Sequence, residues 1–248
     1  MYFDLHVHSE YSYDSFNKIE DILKVAKQRR LSGVAITDHE EFAGSMEALK
    51  QAKYWDLLVI PGMEIATEVG DIIGLFLKQK ITTTIFNDVV SEIKKQGGLV
   101  VLPHPFKRTN YVSKVVLSKI DFIEVFNARG ENLGMNRCNQ RAYNLAIKSN
   151  IPMTAGSDAH FLREIGRGCV DIPPVSSLGE LKEKLLTDCN KNIVMHPSSL
   201  YMEVFSQFIK GYKTKNMGIL MSSFKKFVRT MQWDTYMKIK NRGRRDHV

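Results

Sequence analysis

Short apolar runs that each end in a residue able to bind a metal recur along this chain, and that recurrence constrains its fold more than any other feature. Gly33-Val34-Ala35-Ile36-Thr37 delivers Asp38-His39-Glu40, and Leu57-Leu58-Val59-Ile60-Pro61 runs into Gly62-Met63-Glu64. Leu99-Val100-Val101-Leu102 ends in Pro103-His104-Pro105, and Met153-Thr154-Ala155 reaches Gly156-Ser157-Asp158-Ala159-His160. Further strands are expected at 71–76, 122–127 and 168–172. Near-continuous apolar runs are what strands buried on both faces look like. Between them lie segments of helical periodicity: Ile19, Ile22, Leu23 and Ala26 behind a cap at Ser15 or Asn17, then Gly44 to Lys53, Thr84 to Gln96 closed by Gly97-Gly98, Gly134 to Asn150, and Ser177 to Leu186. Alternation of this kind predicts an α/β fold with a parallel barrel or wound sheet. A barrel gathers the C-terminal ends of its strands at one mouth, so His39, Glu64, His104, Asp158 and His160 are expected there together.

The chain opens with Asp4-Leu5-His6-Val7-His8-Ser9, followed by Asp14. In an extended strand, residues two apart face the same way, so His6 and His8 project together while Leu5 and Val7 pack opposite. Two such histidines are either ordinary surface residues or a metal-binding pair, and the later residues decide between these. Five of the seven histidines lie in the first strand or at strand ends, with Asp14, Glu64 and Asp158 beside them. Imidazole and carboxylate without thiolate suit zinc, manganese or iron with open coordination positions. Eight ligands exceed what one ion takes, so two or three divalent ions are expected, with Glu64 able to bridge a pair.

The series His6-x-His8, Thr37-Asp38-His39, Gly62-Met63-Glu64, Pro103-His104-Pro105 and Gly156-Ser157-Asp158-Ala159-His160 resembles, in the same order, the polymerase and histidinol phosphatase (PHP) family over roughly residues 1 to 172. That resemblance implies a distorted, TIM-like barrel of seven βα units and a metal-dependent phosphoesterase. It implies one metal on His6, His8, Glu64 and Asp158, a second sharing Glu64 and adding His104, and a third on Asp14, His39 and His160. Many members supply a further histidine to the second metal; this chain has Asp71 at about that place, either a substitute oxygen ligand or the mark of a weaker site. The expected reaction is attack of a metal-bound hydroxide on a phosphate ester of a small metabolite or nucleotide.

Phosphate recognition calls for cations, Arg above all for its bidentate fork. Arg129 and Arg167 are the favoured candidates, with Arg163, Lys107 and Arg108 behind them. Asp38 reads as a hydrogen-bonding neighbour of His39 rather than a ligand. Glu124 is either an inward site residue or the partner of an Arg. Ser9, Ser157 and Cys169 form no nucleophile–base set. Cys138, Cys169 and Cys189 lack the spacing of a disulfide framework or thiolate site and read as core fillers.

Composition divides the chain at about residue 196. Residues 201–248 hold eleven Lys or Arg against three acids, which accounts for the whole net charge of +8. We therefore expect a barrel domain over 1–196 and a basic, amphipathic helical C-terminal extension over 197–248. Met202, Val204, Phe205, Phe208 and Ile209, then Met217, Ile219, Leu220, Met221, Phe224, Phe227, Val228 and Met231, are spaced for two helices. They are expected to pack on the barrel or another subunit, or to meet anionic lipid or nucleic-acid phosphate. The terminal run 238–245 reads as disordered and attractive to polyanions. With no long apolar stretch and no leader-like start, a cytoplasmic location is expected. The competing function is a metal-stabilised, non-catalytic barrel that binds nucleic acid or assembles through its basic tail.

Overall fold

The structure is a computed structural model that describes residues 1–130, 137–188 and 192–243; the side chains of 188 and 236–243 fall outside that description. Cys189, the start of the helix expected from Gly134, Arg244, Arg245 and His247 therefore lie outside the described residues.

Among the described residues nine strands form one sheet: β1 (Tyr2–Val7), β2 (Gly33–Ile36), β3 (Leu58–Thr67), β4 (Gly70–Leu75), β5 (Leu99–Leu102), β6 (Phe122–Asn127), β7 (Met153–Gly156), β8 (Gly168–Asp171) and β9 (Ile193–Met195). Their order is β7-β6-β5-β4-β3-β2-β1-β8-β9. The sheet curls until its ends approach each other. A parallel bridge joins Val7 to Ala159, just past β7, and the His8 amide donates to the Ala159 carbonyl at 2.9 Å. The result is a nearly closed barrel with helices around it.

The sheet is mixed, which corrects the expectation of a parallel one. β1, β2 and β3 are parallel, as are β5, β6 and β7, but β4 runs antiparallel to both β3 and β5, and β8 antiparallel to β1. The reason is chain length. Only Glu68 and Val69 separate β3 from β4, whereas a parallel crossover needs about a dozen residues. Gly70, at φ 121°, makes the turn. Because β4 runs backwards, its first residues lie at the mouth, with Asp71 opposite Ala66.

The helices are α1 (Ile19–Gln28), α2 (Ala43–Ala52), α3 (Phe86–Lys95), α4 (Lys114–Leu117), α5 (Cys138–Ser149), α6 (Leu178–Asp188), α7 (Leu200–Lys213) and α8 (Met217–Gly243). α1 buries the expected Ile19, Ile22, Leu23 and Ala26. α3 ends as expected: Gly97, at φ 75°, and Gly98 turn their amides back to Lys94 and Ile93. Neither Ser15 nor Asn17 caps α1, whose N-cap is Lys18; both are held instead by the site, as described below.

α7 and α8 pack against each other, and α7 is tied to the barrel. Gly211 is required at their contact, because a Cβ there would lie 2.8 Å from Leu220. The Lys213 ammonium donates to the carbonyls of Glu10, Ser12 and Ser15, each at 2.7 Å, and Lys210 sits 4.2 Å above the Tyr13 ring. Met217, Met221, Phe224, Val228 and Met231 remain exposed along α8. The run expected to be disordered is helical as far as Gly243.

Candidate metal centre

Five elements bring the ligand-type side chains to one mouth. β1 supplies His6 and, one residue beyond its end, His8; the residue after Asp38 beyond β2 supplies His39, and β3 supplies Glu64. His104 follows β5, and Asp158 and His160 follow β7. Register in β1 shifts between Asp4 and Val7, so Leu5 and Val7 pack in different apolar clusters rather than on one face. His6 and His8 nevertheless converge, with 3.1 Å between their Nε2 atoms.

Distances define three overlapping groups. In the first, His6 and His8 stand with Asp158, whose Oδ1 is 3.6 and 3.3 Å from their Nε2 atoms. In the second, Glu64 Oε2 is 3.4 Å from His6 Nε2 and Oε1 is 3.0 Å from His104 Nε2. The third gathers His8, Asp14, His39 and His160, with Asp14 Oδ2 3.5 Å from His39 and 3.2 Å from His160. Glu64 Oε2 also lies 3.1 Å from His39 Nδ1 and 3.3 Å from His8, so it touches all three.

The surrounding hydrogen bonds fix which ring nitrogens face inward. Ser12 donates its hydroxyl proton to Asp38 at 2.8 Å, so the 3.0 Å contact with His8 Nδ1 leaves that nitrogen the donor. His6 Nδ1 donates to Glu124 at 3.0 Å, and His160 Nδ1 to the Asp158 carbonyl at 2.8 Å. In each neutral ring the Nε2 lone pair then points into the cluster, as ligation requires. Glu124 also accepts from the His104 amide at 2.8 Å and so positions two of these histidines. Ser15 donates to the carbonyls of His8 and His160, and Asn17 to that of His8, at 3.1–3.2 Å.

The electrostatics call for positive charge at this point. Burial would depress His6, but Glu124, Asp158 and Glu64 outweigh it and hold its pKa well above the ordinary range. Burial works against His39 too, yet Glu64 and Asp14 raise it to about 9. His8 falls well below its usual value through burial and the neighbouring His160 and His39. Glu64, Asp14 and Asp158 are all held low despite burial, chiefly by histidines and, for Asp158, first by Lys107. Protons on two histidines answer this demand singly; divalent cations would answer it through the whole donor set. Asp14 Oδ1 is buried without a hydrogen-bond partner, which fits a ligand oxygen.

Backbone strain concentrates here as well. His104, at φ 29°, and Asp158, at φ 53°, adopt left-handed conformations that cost of order 1–3 kcal/mol each.

The mouth is a pocket of about 360 Å3 lined by Asp14, His39, Glu64, Asp71, His104, Lys107, Arg108, Arg129, Asp158 and His160 from the barrel, and by Glu203, Gln207, Ser222, Ser223 and Lys226 from α7 and α8. Lys107 reaches Asp158 at 2.8 Å, and Arg108 pairs with Asp71 at 3.2 Å. Asp71 thus stands at the mouth but belongs to none of the three groups among the described residues. The guanidinium of Arg129, 3% exposed, is turned to Glu164 at 3.0 Å and to the Met202 carbonyl and Ser206 hydroxyl of α7. Arg167 is not among the residues that line the pocket and is bonded instead to the carbonyls of Pro197 and Arg163.

Residue-by-residue reading missed Asp4, whose carboxylate accepts from the amides of His6, Ser157 and Gly166 and ties β1 to the loop beyond β7. Its signal was an acid at the third position of β1, a strand whose other polar side chain of the site is His6. Burial raises its pKa to about 6. The tail residues of the pocket carried no local signal at all.

A barrel whose strand ends present this many imidazoles and carboxylates defines a metal-binding α/β protein. A family model for the PHP domain matches residues 4–165, and the chain belongs to the PHP-domain family. An uncharacterised protein of Methanocaldococcus jannaschii is 31% identical over 246 residues, covering 86% of this chain and 98% of that one. A second from the same organism is 38% identical over 141 residues, or 50% of this chain and 81% of the relative. Among solved structures, a two-domain Bacteroides vulgatus protein containing a predicted PHP-like metal-dependent phosphoesterase has a similar fold, with a TM-score of 0.62 and 20% identity over 79% of this chain and 65% of that protein.

Proposed function

We propose that the chain hydrolyses a phosphate ester of a small phosphorylated metabolite or nucleotide with two or three divalent ions, zinc, manganese or iron, held by His6, His8, Asp14, His39, Glu64, His104, Asp158 and His160. The observation that carries this reading is the convergence of three donor groups that share His6 and His8 and all contact Glu64, in a pocket also lined by Lys107 and Arg108. Bound divalent ions supply a lowered pKa for water and neutralise charge gathering on the phosphoryl group.

The chain's own groups supply position. Lys107 and Arg108 face the pocket and are suited to hold phosphoryl oxygens, the roles first expected of Arg129 and Arg167. Asp71 orients Arg108. Glu124, Ser12 and Asp38 hold the histidine tautomers. Water adds to phosphorus, the ester P–O bond breaks, and the departing alcohol takes up a proton. The alternative of a nucleic-acid module draws on the tail's charge, of which Lys210, Lys213 and Lys226 are already engaged in contacts within the chain.

Asp158→Ala and His104→Ala should lose hydrolysis of all esters and bind less metal, measured by phosphate release and elemental analysis, with circular dichroism unchanged. Full activity in either variant would remove the assignment.

A further inference from the structure

We infer that the α7–α8 hairpin is the specificity wall of this pocket and that it selects esters whose alcohol part is small and polyhydroxylated, sugar or polyol phosphates, over nucleotides. The inference rests on the hydrolytic reading above and adds the substrate class.

The wall is held in place. Buried Arg129 donates to the Met202 carbonyl at 2.6 Å and to Ser206 at 3.2 Å, while its Nε is paired with Glu164, itself fully buried. Glu203 and Gln207 each follow one of these anchored residues and are four apart, so they share one helical face, and both line the pocket. From α8, Lys226 forms an ion pair with Glu203 and lines the pocket beside it, with Ser222 one turn earlier. A recognition group on a pinned helix keeps its geometry better than one on a loop.

The chemistry of that wall matches hydroxyl groups. A carboxylate accepts from a hydroxyl, an ammonium donates to one, and an amide does both. Because Glu203 and Lys226 neutralise each other, an uncharged hydroxylated group meets no net repulsion, whereas a second phosphate must displace Glu203 from Lys226. A nucleobase brings two apolar faces that gain about 1–3 kcal/mol by stacking on aromatic side chains. The aromatic rings among the described lining residues are those of His39, His104 and His160, all in the donor groups, whereas the α7–α8 wall offers only Glu203, Gln207, Ser222, Ser223 and Lys226, against which a base would lose water without a stacking partner.

The test uses the full-length protein supplemented with Mn2+ and steady-state kinetics on sugar phosphates, polyol phosphates, nucleoside monophosphates and phenyl phosphate. The best sugar or polyol phosphate should exceed the best nucleoside monophosphate in kcat/KM by at least about tenfold, the equivalent of one good hydrogen bond. In Gln207→Ala and Glu203→Ala the ratio of kcat/KM for sugar phosphate to that for phenyl phosphate should fall about tenfold, mainly through KM. Preference for nucleotides, or an equal loss on every ester, overturns the inference and leaves the hydrolase standing. Should no ester be hydrolysed, the hydrolytic reading fails instead. Calorimetry with a non-hydrolysable sugar phosphonate then decides the wall: binding weakened by Gln207→Ala supports it, and no binding overturns it.

Discussion

A Cβ on Gly156 would lie 2.3 Å from the Cβ of His6 and 2.8 Å from Glu124 Oε1, so glycine at the end of β7 is a packing requirement of the site. Gly156→Ala should cost about 1–3 kcal/mol through overpacking. Displacement of His6 should lower metal affinity at the same time, which thermal unfolding and metal titration would report together. Gly44 sits under the same constraint, with a Cβ position 2.1 Å from Asp38 Oδ2. At this scale the sequence was legible wherever chemistry is carried by residue type. His6, His8, His39, Glu64, His104, Asp158 and His160 were identified from motif and position, and all stand in the donor groups. Ser15 and Asn17 were misread as caps, because a short polar side chain near a helix start serves equally well to hold a loop carbonyl.

At the scale of elements, the N-terminal half of α7 is held by Arg129, whose buried partner is Glu164. Arg129→Met strands Glu164 as an unpaired, fully buried carboxylate, and breaking such a pair costs about 3–5 kcal/mol. Denaturant unfolding should show that loss, and hydrogen exchange should show α7 loosening first. Acid should act on the same element through Glu203. Burial would raise its pKa, but Lys107, Lys226 and Arg129 lower it below the ordinary 4.5. A carboxyl depressed on folding contributes stability that is complete above its unfolded pKa and lost as pH falls through the folded one. Exchange protection of α7 should therefore hold from pH 7 to about 5 and decline below the ordinary value of 4.5. Glu203→Gln should flatten that decline; an unchanged pH profile would detach α7 docking from Glu203. The direction of β4 belongs to this scale too. A two-residue link leaves only a hairpin possible, but that link emerges only because β3 runs on to Thr67, beyond the apolar run that ends at Pro61.

For the whole molecule, metal binding and folding are linked. Ligands drawn from β1, the loops after β2, β5 and β7, and β3 come together only in the folded barrel, so ions that bind it stabilise it by mass action. Saturating Mn2+ or Zn2+ at about 100 times its dissociation constant should add about 2.7 kcal/mol and raise Tm, and chelator should reverse the shift. No change in Tm with either ion, or with Fe2+ under anaerobic conditions, would count against the metal centre. No helix among the described residues is long and apolar enough to cross a membrane.

The family, the barrel and the histidines and carboxylates that gather at its mouth were legible in the residues alone, because metal-binding chemistry draws on a few residue types and strand ends give them fixed places. That the tail turns into helices was legible as well, since the 3.6-residue period is local. Only the tertiary structure decided where those helices go. Glu203, Gln207 and Lys226 are ordinary polar positions on a basic, amphipathic segment; what makes them part of the pocket is a guanidinium some 75 residues earlier that holds the α7 backbone, at Met202, against the barrel. Contacts of that range leave no periodicity and no spacing to read, because a buried arginine can meet any carbonyl the fold brings within reach.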